Sequence, residues 1–171
     1  MPKRGAHYEA AFEDYLRAKG WPYVPVDESK RVAFEAASIK SFDFLVYSSN
    51  GPNLLVDVKG RKFHSGVGRS KTRSWENWIT RGDVDGLRQW AKVFGSDFAP
   101  AIVFAYLIDG PPQKTPFLDL HVFKENHYAF VGVLLEQYVN LARPRSAKWE
   151  TISVPSADFA ATARDIAAFL H

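Results

Sequence analysis

Apolar residues in the first part of the chain recur every three or four positions. Between residues 6 and 19 this spacing places Tyr8, Phe12 and Tyr15 on one stripe. Such a period is typical of an amphipathic helix that buries one face. Gly20 directly after the stretch is a stop signal for helices, so the pattern predicts a first helix over residues 6–19.

Two strand-like runs follow, and turn-forming residues separate them. Residues 42–47 (FDFLVY) and 54–59 (LLVDVK) are rich in aromatic and β-branched residues. The segment SSNGPN between them contains serine, asparagine, glycine and proline, which favour turns. The pattern therefore predicts a hairpin here, whereas residues 31–36 (RVAFEA) before it are ambiguous between strand and helix.

The remainder of the chain shows further helices and strands. Residues 60–74 contain three glycines, several serines and no acidic residue, which predicts a loop. Helical spacing resumes over residues 83–94, and the nearly continuous apolar run 101–108 is typical of a strand buried on both faces. Further strands are predicted at 117–123, 128–133 and 151–154 (the last an edge strand), with a short helix at 134–141 and a final helix that Ser156 caps and that reaches residue 170.

The order of these elements predicts the fold class. Helix, strands, helix, strand, further strands and helix together favour an α/β protein in which helices flank both faces of a mixed central β-sheet. At 171 residues the chain has the length of one domain with a substantial core. Hydrophobic residues make up 46% and charged residues 24% of the chain, as in ordinary globular proteins.

Composition narrows the chemistry that the chain can perform. The absence of cysteine excludes disulfides, thiolate zinc sites and cysteine nucleophiles. The five histidines show no i, i+4 pair, so a bound metal would have mainly oxygen ligands, as Mg²⁺ and Mn²⁺ prefer. The sequence contains no segment resembling a signal peptide or a membrane span, so we expect a soluble cytoplasmic protein without a membrane partner.

Side-chain alternation brings charged residues of the predicted hairpin together. Successive strand residues point to opposite faces, so Asp57 and Lys59 share one face of the second strand. The turn is centred near residues 50 and 51, and pairing then places Asp43 opposite Asp57 or Val58. Two carboxylates this close repel each other unless a cation lies between them, so the sequence predicts a divalent-metal site at Asp43 and Asp57. The opposite faces of the two strands are wholly apolar: Phe42, Phe44, Val46, Leu54, Val56 and Val58.

Lys59 adds a cation to this site. Its ammonium can orient or help to deprotonate an attacking water, and it can stabilise negative charge on a phosphate. Phosphodiester hydrolysis requires a metal-activated water, an electrophile at a phosphate oxygen and a cation near the nucleophile. Asp43, Asp57 and Lys59 would supply these groups, although an isolated Asp-x-Lys on a strand is also typical of a solvated surface with a local ion pair.

The arrangement resembles the PD-(D/E)XK nuclease superfamily, which includes restriction endonucleases and archaeal-type Holliday junction resolvases. The superfamily pattern is an acidic residue on one strand, a hairpin, and then (D/E)-x-K on the next strand. Here it reads Asp43 and then Asp57-Val58-Lys59. Phe42 stands where many members have proline, and the second acid is aspartate, which the pattern permits.

The resemblance implies a fold and an activity for the whole chain. The fold is one nuclease-like domain over residues 1–171, with a restriction-endonuclease-like αβββαβ core at about 5–108 and C-terminal strand and helix additions at about 117–171. The activity is hydrolysis of phosphodiester bonds by a DNA endonuclease of the restriction, repair or recombination type. The cofactor is Mg²⁺, with Mn²⁺ as a substitute, and such enzymes often act as homodimers that cut both strands of DNA.

The resemblance also implies a glutamate on the first helix. In many members this residue follows a glycine by a few positions, and here Glu9 follows Gly5. Glu9 would be an outer or second-metal ligand, with Glu13 as the second choice. In this interpretation the two aspartates are the metal ligands and the lysine is the positioning cation.

Basic residues downstream of Lys59 favour nucleic-acid binding. Arginine and lysine make most of the protein contacts to phosphates, and a glycine-rich backbone can approach nucleic acid closely. A polar residue on the helix after the loop can face the same cleft. The residues predicted to bind DNA are Arg61, Lys62, Arg69, Lys71, Arg73 and Gln89.

A second basic cluster lies further along the chain. Arg143, Arg145 and Lys148 adjoin Trp149. Basic residues beside an aromatic ring are consistent with tracking or stacking on a nucleic-acid strand, and equally with a solubilising surface.

Other functions remain open for a chain with this pattern. A catalytically inactive DNA-binding or assembly module would keep the fold without turnover, and a nuclease-like fold could instead act on RNA or free nucleotides. An α/β enzyme of another class lacks support, because the sequence has no Gly-rich phosphate loop or nucleophile elbow. Metal-dependent cleavage of DNA distinguishes the endonuclease from the inactive module.

Overall fold

A computed structural model describes residues 5–26, 40–66 and 75–170 of the chain. The helices in these residues are α1 (Ala6–Lys19), α2 (Arg81–Phe94), α3 (Leu135–Leu141) and α4 (Ser156–Thr162), and 3₁₀ turns lie at Pro112–Lys114 and Ile166–Phe169. The strands are β1 (Tyr23–Pro25), β2 (Phe44–Val46), β3 (Asn53–His64), β4 (Ile79–Thr80), β5 (Phe98–Asp109), β6 (His121–Phe123), β7 (Asn126–Leu134), β8 (Arg143–Ser146), β9 (Thr151–Ser153) and β10 (Arg164–Asp165).

A mixed sheet forms the centre of the fold, as predicted. Its strand order is β1-β2-β3-β5-β7-β10, and β6 also pairs with β7. β3 and β5 run parallel along their whole length, whereas the other neighbouring pairs are antiparallel. The strands β4, β9 and β8 form a separate small sheet in that order. None of the described helices has the length and apolar character needed to cross a bilayer.

Helices cover both faces of the central sheet, which confirms the predicted layers. The α1 side of the sheet carries Val56, and the α2 side carries Leu55 and Ile102 together with Leu87 of the helix itself. α1 has the predicted bounds, because Gly20 adopts a left-handed φ of 72° that ends the helix. The buried residues of α1 are Ala11, Phe12, Tyr15 and Leu16.

The prediction of one apolar face for the hairpin is confirmed for the residues within the strands, but not for Phe42, which precedes β2. Phe44 and Val46 face α1, as alternation requires. Phe42 was predicted to share that face, but it lies in the core cluster on the α2 side, against Trp90 and Phe94. The prediction is wrong at this residue because β2 begins only at Phe44, so the alternation of side chains does not extend back to residue 42.

β3 continues beyond the predicted strand and ends at His64. Residues 60–64 were predicted to be loop, but they pair with β5 throughout, and Phe63 is buried in the core. Pairing with a long apolar neighbour outweighs the loop-like composition of this stretch. Outside the residues that the structure describes lie the predicted DNA-binding residues Arg69, Lys71 and Arg73 and the ambiguous residues 31–36.

The C-terminal region differs from the prediction in several places. Only the second half of the strand predicted at 117–123 forms, as β6. β9 lies in the centre of the small sheet instead of at an edge, because β4 and β8 pair on either side of it. The predicted final helix is divided, since α4 ends at Thr162 and β10 then pairs with β7. Pro155 occupies the N-cap position of α4, and Ser156 is its first helical residue.

Asn77 joins the segment before β4 to the segment after β9. Its Nδ2 donates to the carbonyl oxygens of Trp75 and Val154 at 2.9 Å each, and its Oδ1 accepts from the Val154 N–H at 2.8 Å. The Tyr138 hydroxyl donates to the Asn77 carbonyl at 2.7 Å. Asn77 is buried, so loss of its amide would leave backbone groups unpaired away from water.

Asn77→Ala is therefore expected to lower the free energy of unfolding by about 2–4 kcal/mol. Urea denaturation measures this change. The control is Asn126→Ala, which removes one exposed hydrogen bond to the Lys124 carbonyl and should change the free energy by less than about 1 kcal/mol. Equally small changes in the two variants would contradict the structural role of Asn77.

Candidate active site

Asp43 and Asp57 meet where β2 begins. β2 and β3 are antiparallel, and Phe44 lies opposite Val56. Asp43, one residue before Phe44, therefore lies beside Asp57, one residue after Val56. The Val58 N–H donates a hydrogen bond of 2.7 Å to Asp43 Oδ2, and the Asp43 N–H donates to the Val56 carbonyl at 2.9 Å. These two bonds hold the Asp43 carboxyl group against β3.

The side chains of half-buried Asp43 and buried Asp57 share a hydrogen bond. Burial, followed by the neighbouring charge of Asp57, raises the pKa of Asp43 to about 9. Asp43 therefore keeps its proton at neutral pH and donates it to Asp57. Burial also raises the pKa of Asp57, against the opposing effect of the Lys59 charge. A shared proton thus relieves the repulsion between the two carboxyl groups.

Lys59 lies beside this pair and contacts a further carboxylate. Its Nζ is 3.2 Å from Asp57 Oδ2 and 3.1 Å from Asp83 Oδ1. Burial disfavours the charged amine, but the two carboxylates outweigh burial and raise the pKa of Lys59 above its usual range. Lys59 is therefore held as a cation on the face of β3 that carries Asp57.

Asp83 belongs to this cluster although the sequence analysis did not select it. Its side chain is 2% exposed and also forms an ion pair with Lys40. It caps α2, because the Thr80 N–H donates to Asp83 Oδ2 at 2.9 Å and the Asp83 N–H donates to Thr80 Oγ1 at 3.0 Å. Burial opposes ionisation of Asp83, but Lys59 and Lys40 bring its pKa down to about 2.

A local signal for Asp83 is present in the sequence, but only for its capping role. The spacing from Thr80 to Asp83 is that of a capping box and marks the start of a helix. No local pattern indicates that this helix start lies next to Lys59. That contact depends on how α2 packs on the sheet, which short sequence segments do not reveal.

A pocket of about 300 Å³ opens beside Lys59, between the start of α1 and β3. Glu9 and Arg61 are among the residues that line it. At Gly60 the backbone contacts the ring of Tyr8 so closely that an added Cβ atom would lie 2.0 Å from the ring. A residue without a side chain is therefore required here for α1 to approach β3.

Glu9 is the helix acid that borders the pocket. It is exposed, and its charge contributes to the raised pKa of Asp43. Glu13, the second choice from the sequence, is engaged elsewhere, since its Oε1 accepts hydrogen bonds from Arg17 at 2.8 Å and from Tyr23 at 2.9 Å. The geometry favours Glu9 over Glu13 as the helix acid of the site.

The carboxyl groups of Asp43 and Asp57 converge at the site, and Glu9 borders the adjoining pocket. In the described part of the chain, no group of three or more histidine, aspartate or glutamate side chains is arranged to hold a metal ion. Mg²⁺ usually binds through one or two carboxylates and completes its shell with water and phosphate oxygens. The oxygen donors of Asp43 and Asp57 fit this preference, and Glu9 lies outside the pair.

The predicted DNA-binding residues occupy different settings around the site. Arg61 lines the pocket, stacks on the Trp78 ring at 4.2 Å and donates to the carbonyl oxygens of Gly60 and Trp78. Burial lowers the pKa of Arg61, and its Nε is buried without a hydrogen-bond partner among the described residues. Lys62 is exposed on β3, and Gln89 is exposed on α2.

The structure is similar to that of a Holliday junction resolvase from the archaeal hyperthermophile Archaeoglobus fulgidus. The likeness has a TM-score of 0.57 and covers 96% of this chain and 98% of that chain, at 13% sequence identity. No family model matches the sequence, and no curated protein matches it. At this identity the likeness shows the fold alone. Archaeal-type resolvases are among the proteins that the sequence pattern resembles, so the expected restriction-endonuclease-like fold is confirmed.

Asp43→Asn is expected to stabilise the metal-free protein at alkaline pH. The folded protein keeps a proton on Asp43 up to about pH 9, whereas an unfolded aspartate loses it near about pH 4. Between these values the unfolded state binds fewer protons, so the stability of the parent falls as the pH rises. Asparagine removes this dependence, which amounts to at most about 5 kcal/mol at about pH 8, at about 1.4 kcal/mol for each pH unit. Since the substitution also removes the hydrogen bond that Asp43 donates, we expect a net gain of at least about 1 kcal/mol, or at least about 2 °C in the unfolding midpoint.

Thermal unfolding in EDTA at about pH 5 and about pH 8 measures this effect. The gain in stability should be smaller at about pH 5, because the parent has lost less of its stability at that pH. Asp85→Asn, at an exposed position of α2, is the control and should move neither midpoint. An Asp43→Asn variant that is less stable than the parent at both pH values would show that ionising Asp43 carries no penalty in the folded protein.

Proposed function

We propose that the chain is a Mg²⁺-dependent endonuclease that hydrolyses phosphodiester bonds in DNA. The observation that carries this proposal is the pair of half-buried Asp43 and buried Asp57, which come from neighbouring chain segments and have Lys59 at their side. A site where two carboxyl groups removed from full contact with water share a proton is one where a metal cation can take the place of that proton. The similarity of the fold to that of a Holliday junction resolvase supports a nuclease over other α/β enzymes.

Asp43 and Asp57 would be the ligands of Mg²⁺, with Mn²⁺ as a substitute. When bound, the metal would activate a water molecule and neutralise charge on a phosphate oxygen. Asp43 has to release its proton to act as a ligand, so metal binding should weaken as the pH falls. Glu9 borders the pocket and would be an outer or second-metal ligand.

Lys59 would orient the attacking water and stabilise the negative charge that develops on the phosphate. Asp57 and Asp83 hold its ammonium at 3.2 and 3.1 Å, so the cation is in place before substrate arrives. Its raised pKa keeps it protonated. We therefore assign Lys59 a positioning and electrostatic role, and not that of a general base.

Arg61 would contact a DNA phosphate at the edge of the pocket. Arg61 is half-buried, forms no ion pair of its own among the described residues, and has a buried Nε without a hydrogen-bond partner there, so a phosphate would supply both an acceptor and a negative charge. Lys62, exposed on the same strand, would add a second contact. Arg69, Lys71 and Arg73 remain predicted DNA-binding residues, and cutting both strands would call for a homodimer on the DNA.

Cleavage of duplex, branched and single-stranded DNA with Mg²⁺ tests the proposed function. Asp57→Asn and Lys59→Ala are each expected to lower the cleavage rate by at least about 100-fold, because each removes a group that acts on the reacting phosphate. DNA affinity should stay close to that of the parent. Lys92→Ala, in the last turn of α2, is the control and should cleave at the parent rate.

Three results would contradict parts of this proposal. If Asp57→Asn and Lys59→Ala cleave like the parent, the active site lies elsewhere. A parent that binds DNA but cleaves none of these substrates with Mg²⁺ or Mn²⁺ would be an inactive binding module. Cleavage confined to RNA would make the protein a ribonuclease.

Asp83→Asn is expected to lower the cleavage rate by about 10- to 100-fold with little change in DNA affinity. Asparagine keeps an oxygen for the helix cap but removes the charge that holds Lys59. Thr80→Ala is the matched control, because it removes the other half of the cap, at a cost of about 1 kcal/mol, and leaves Asp83 beside Lys59. Equal losses of rate in the two variants would assign Asp83 to helix capping alone.

A further inference from the structure

The small sheet presents a basic and aromatic surface. We define the β8–β9 surface as Arg143, Arg145, Lys148 and Trp149, which lie on β8 and in the turn that leads to β9. All four residues are exposed, and Trp149 is 68% exposed. An indole this far in solvent is a large apolar area that a bound partner can cover.

Trp78 connects the β8–β9 surface to the candidate active site. Its ring contacts two guanidinium groups, that of Arg61 on β3 at 4.2 Å from the ring centre and that of Arg145 on β8 at 5.3 Å. The Trp78 Nε1–H donates a hydrogen bond of 2.8 Å to Glu76, which fixes the ring. A line of cations therefore runs from Lys59 and Arg61 at the pocket, across Trp78, to Arg145.

The cations of the β8–β9 surface have no acidic partner in the described part of the chain. Neither Arg145 nor Lys148 forms an ion pair there. Arg145 lies over the Trp78 ring, and the Lys148 Nζ lies 5.1 Å from the centre of the Trp149 ring. A cation on an aromatic face is held in place while its N–H groups stay available to an anion.

We propose that the β8–β9 surface binds the sugar–phosphate backbone of the DNA that the pocket cleaves, and that Trp149 stacks on an unpaired base of this DNA. The inference rests on the proposed function. The β8–β9 cations at the end of this line, which form no ion pair among the described residues, suit a polyanion, because successive phosphates can each meet one of them. An exposed indole among these cations suits an unstacked base, which presents a flat π-face of similar size.

Equilibrium binding in EDTA tests the β8–β9 surface without cleavage. The full chain is titrated onto a fluorescein-labelled blunt duplex, and onto the same duplex with a single-stranded extension, at several salt concentrations. The test variant is R145A/K148A. The matched control is K92A/R164A, which removes the same charge from exposed positions on α2 and on β10, the last strand of the central sheet.

The R145A/K148A variant is expected to bind DNA at least about 10-fold more weakly than the parent at low salt. The slope of log affinity against log salt should become shallower by about 2, one for each lost phosphate contact. K92A/R164A should keep the parent slope, because neither residue belongs to the β8–β9 surface or lines the active-site pocket. An R145A/K148A slope equal to that of the control would overturn the inference.

Trp149→Ala tests the stacking contact. It should lower the affinity for the duplex with the single-stranded extension by about 5-fold or more and leave the affinity for the blunt duplex near that of the parent. Parent-like affinity for both DNAs would overturn the stacking assignment. The thermal unfolding midpoint of each variant confirms that it is folded.

Cleavage assays separate a failure of this inference from a failure of the proposed function. If the parent cleaves DNA with Mg²⁺ while R145A/K148A binds DNA like its control, the inference about the β8–β9 surface is wrong and the proposed function stands. If the parent binds DNA through this surface and cleaves none with Mg²⁺ or Mn²⁺, the proposed function is wrong and the binding surface stands.

Discussion

A close pair of carboxyl groups, one half-buried and one buried, is the constraint on which the candidate site depends. Asp43 and Asp57 cannot both ionise in their setting without compensating positive charge. In the protein alone, a proton between them and the ammonium of Lys59 supply that compensation. Asp83 completes the balance, because it keeps Lys59 charged from the other side. The charges of Asp57, Lys59 and Asp83 stabilise one another, and each would be unfavourable in the protein interior without its neighbour.

Several elements of the fold hold these charges, and none does so alone. β3 carries two of them and is supported along its length by parallel pairing with β5, while the start of β2 and the N-terminus of α2 each bring one more. To form this site, a sequence needs the charged residues at a few positions and apolar residues at the remaining strand positions. Many different sequences satisfy that requirement. This is compatible with a shared fold at 13% identity between this chain and an archaeal resolvase.

The sequence predicted the features that depend on local periodicity. The bounds of α1 follow from its apolar stripe and Gly20, and the common face of Asp57 and Lys59 follows from strand alternation. Features that depend on distant partners were missed. β3 continues to His64 because β5 pairs with it, and Asp83 reaches Lys59 because α2 packs on the sheet. Neither contact leaves a signal in the short segments concerned. The composition of residues 60–64 favours a loop, and the helical spacing from residue 83 onward says nothing about where the helix packs.

The contact between Gly60 and Tyr8 lies where α1, which carries the helix acid Glu9, approaches β3. The Tyr8 ring occupies the volume that a side chain at position 60 would fill, so α1 packs on the β3 backbone through this ring. A methyl group at position 60 would collide with that ring, so either the ring or α1 would have to shift, with every charged residue unchanged. A shift of α1 would carry Glu9 with it, so a position without a functional group bears on the spacing of the acids.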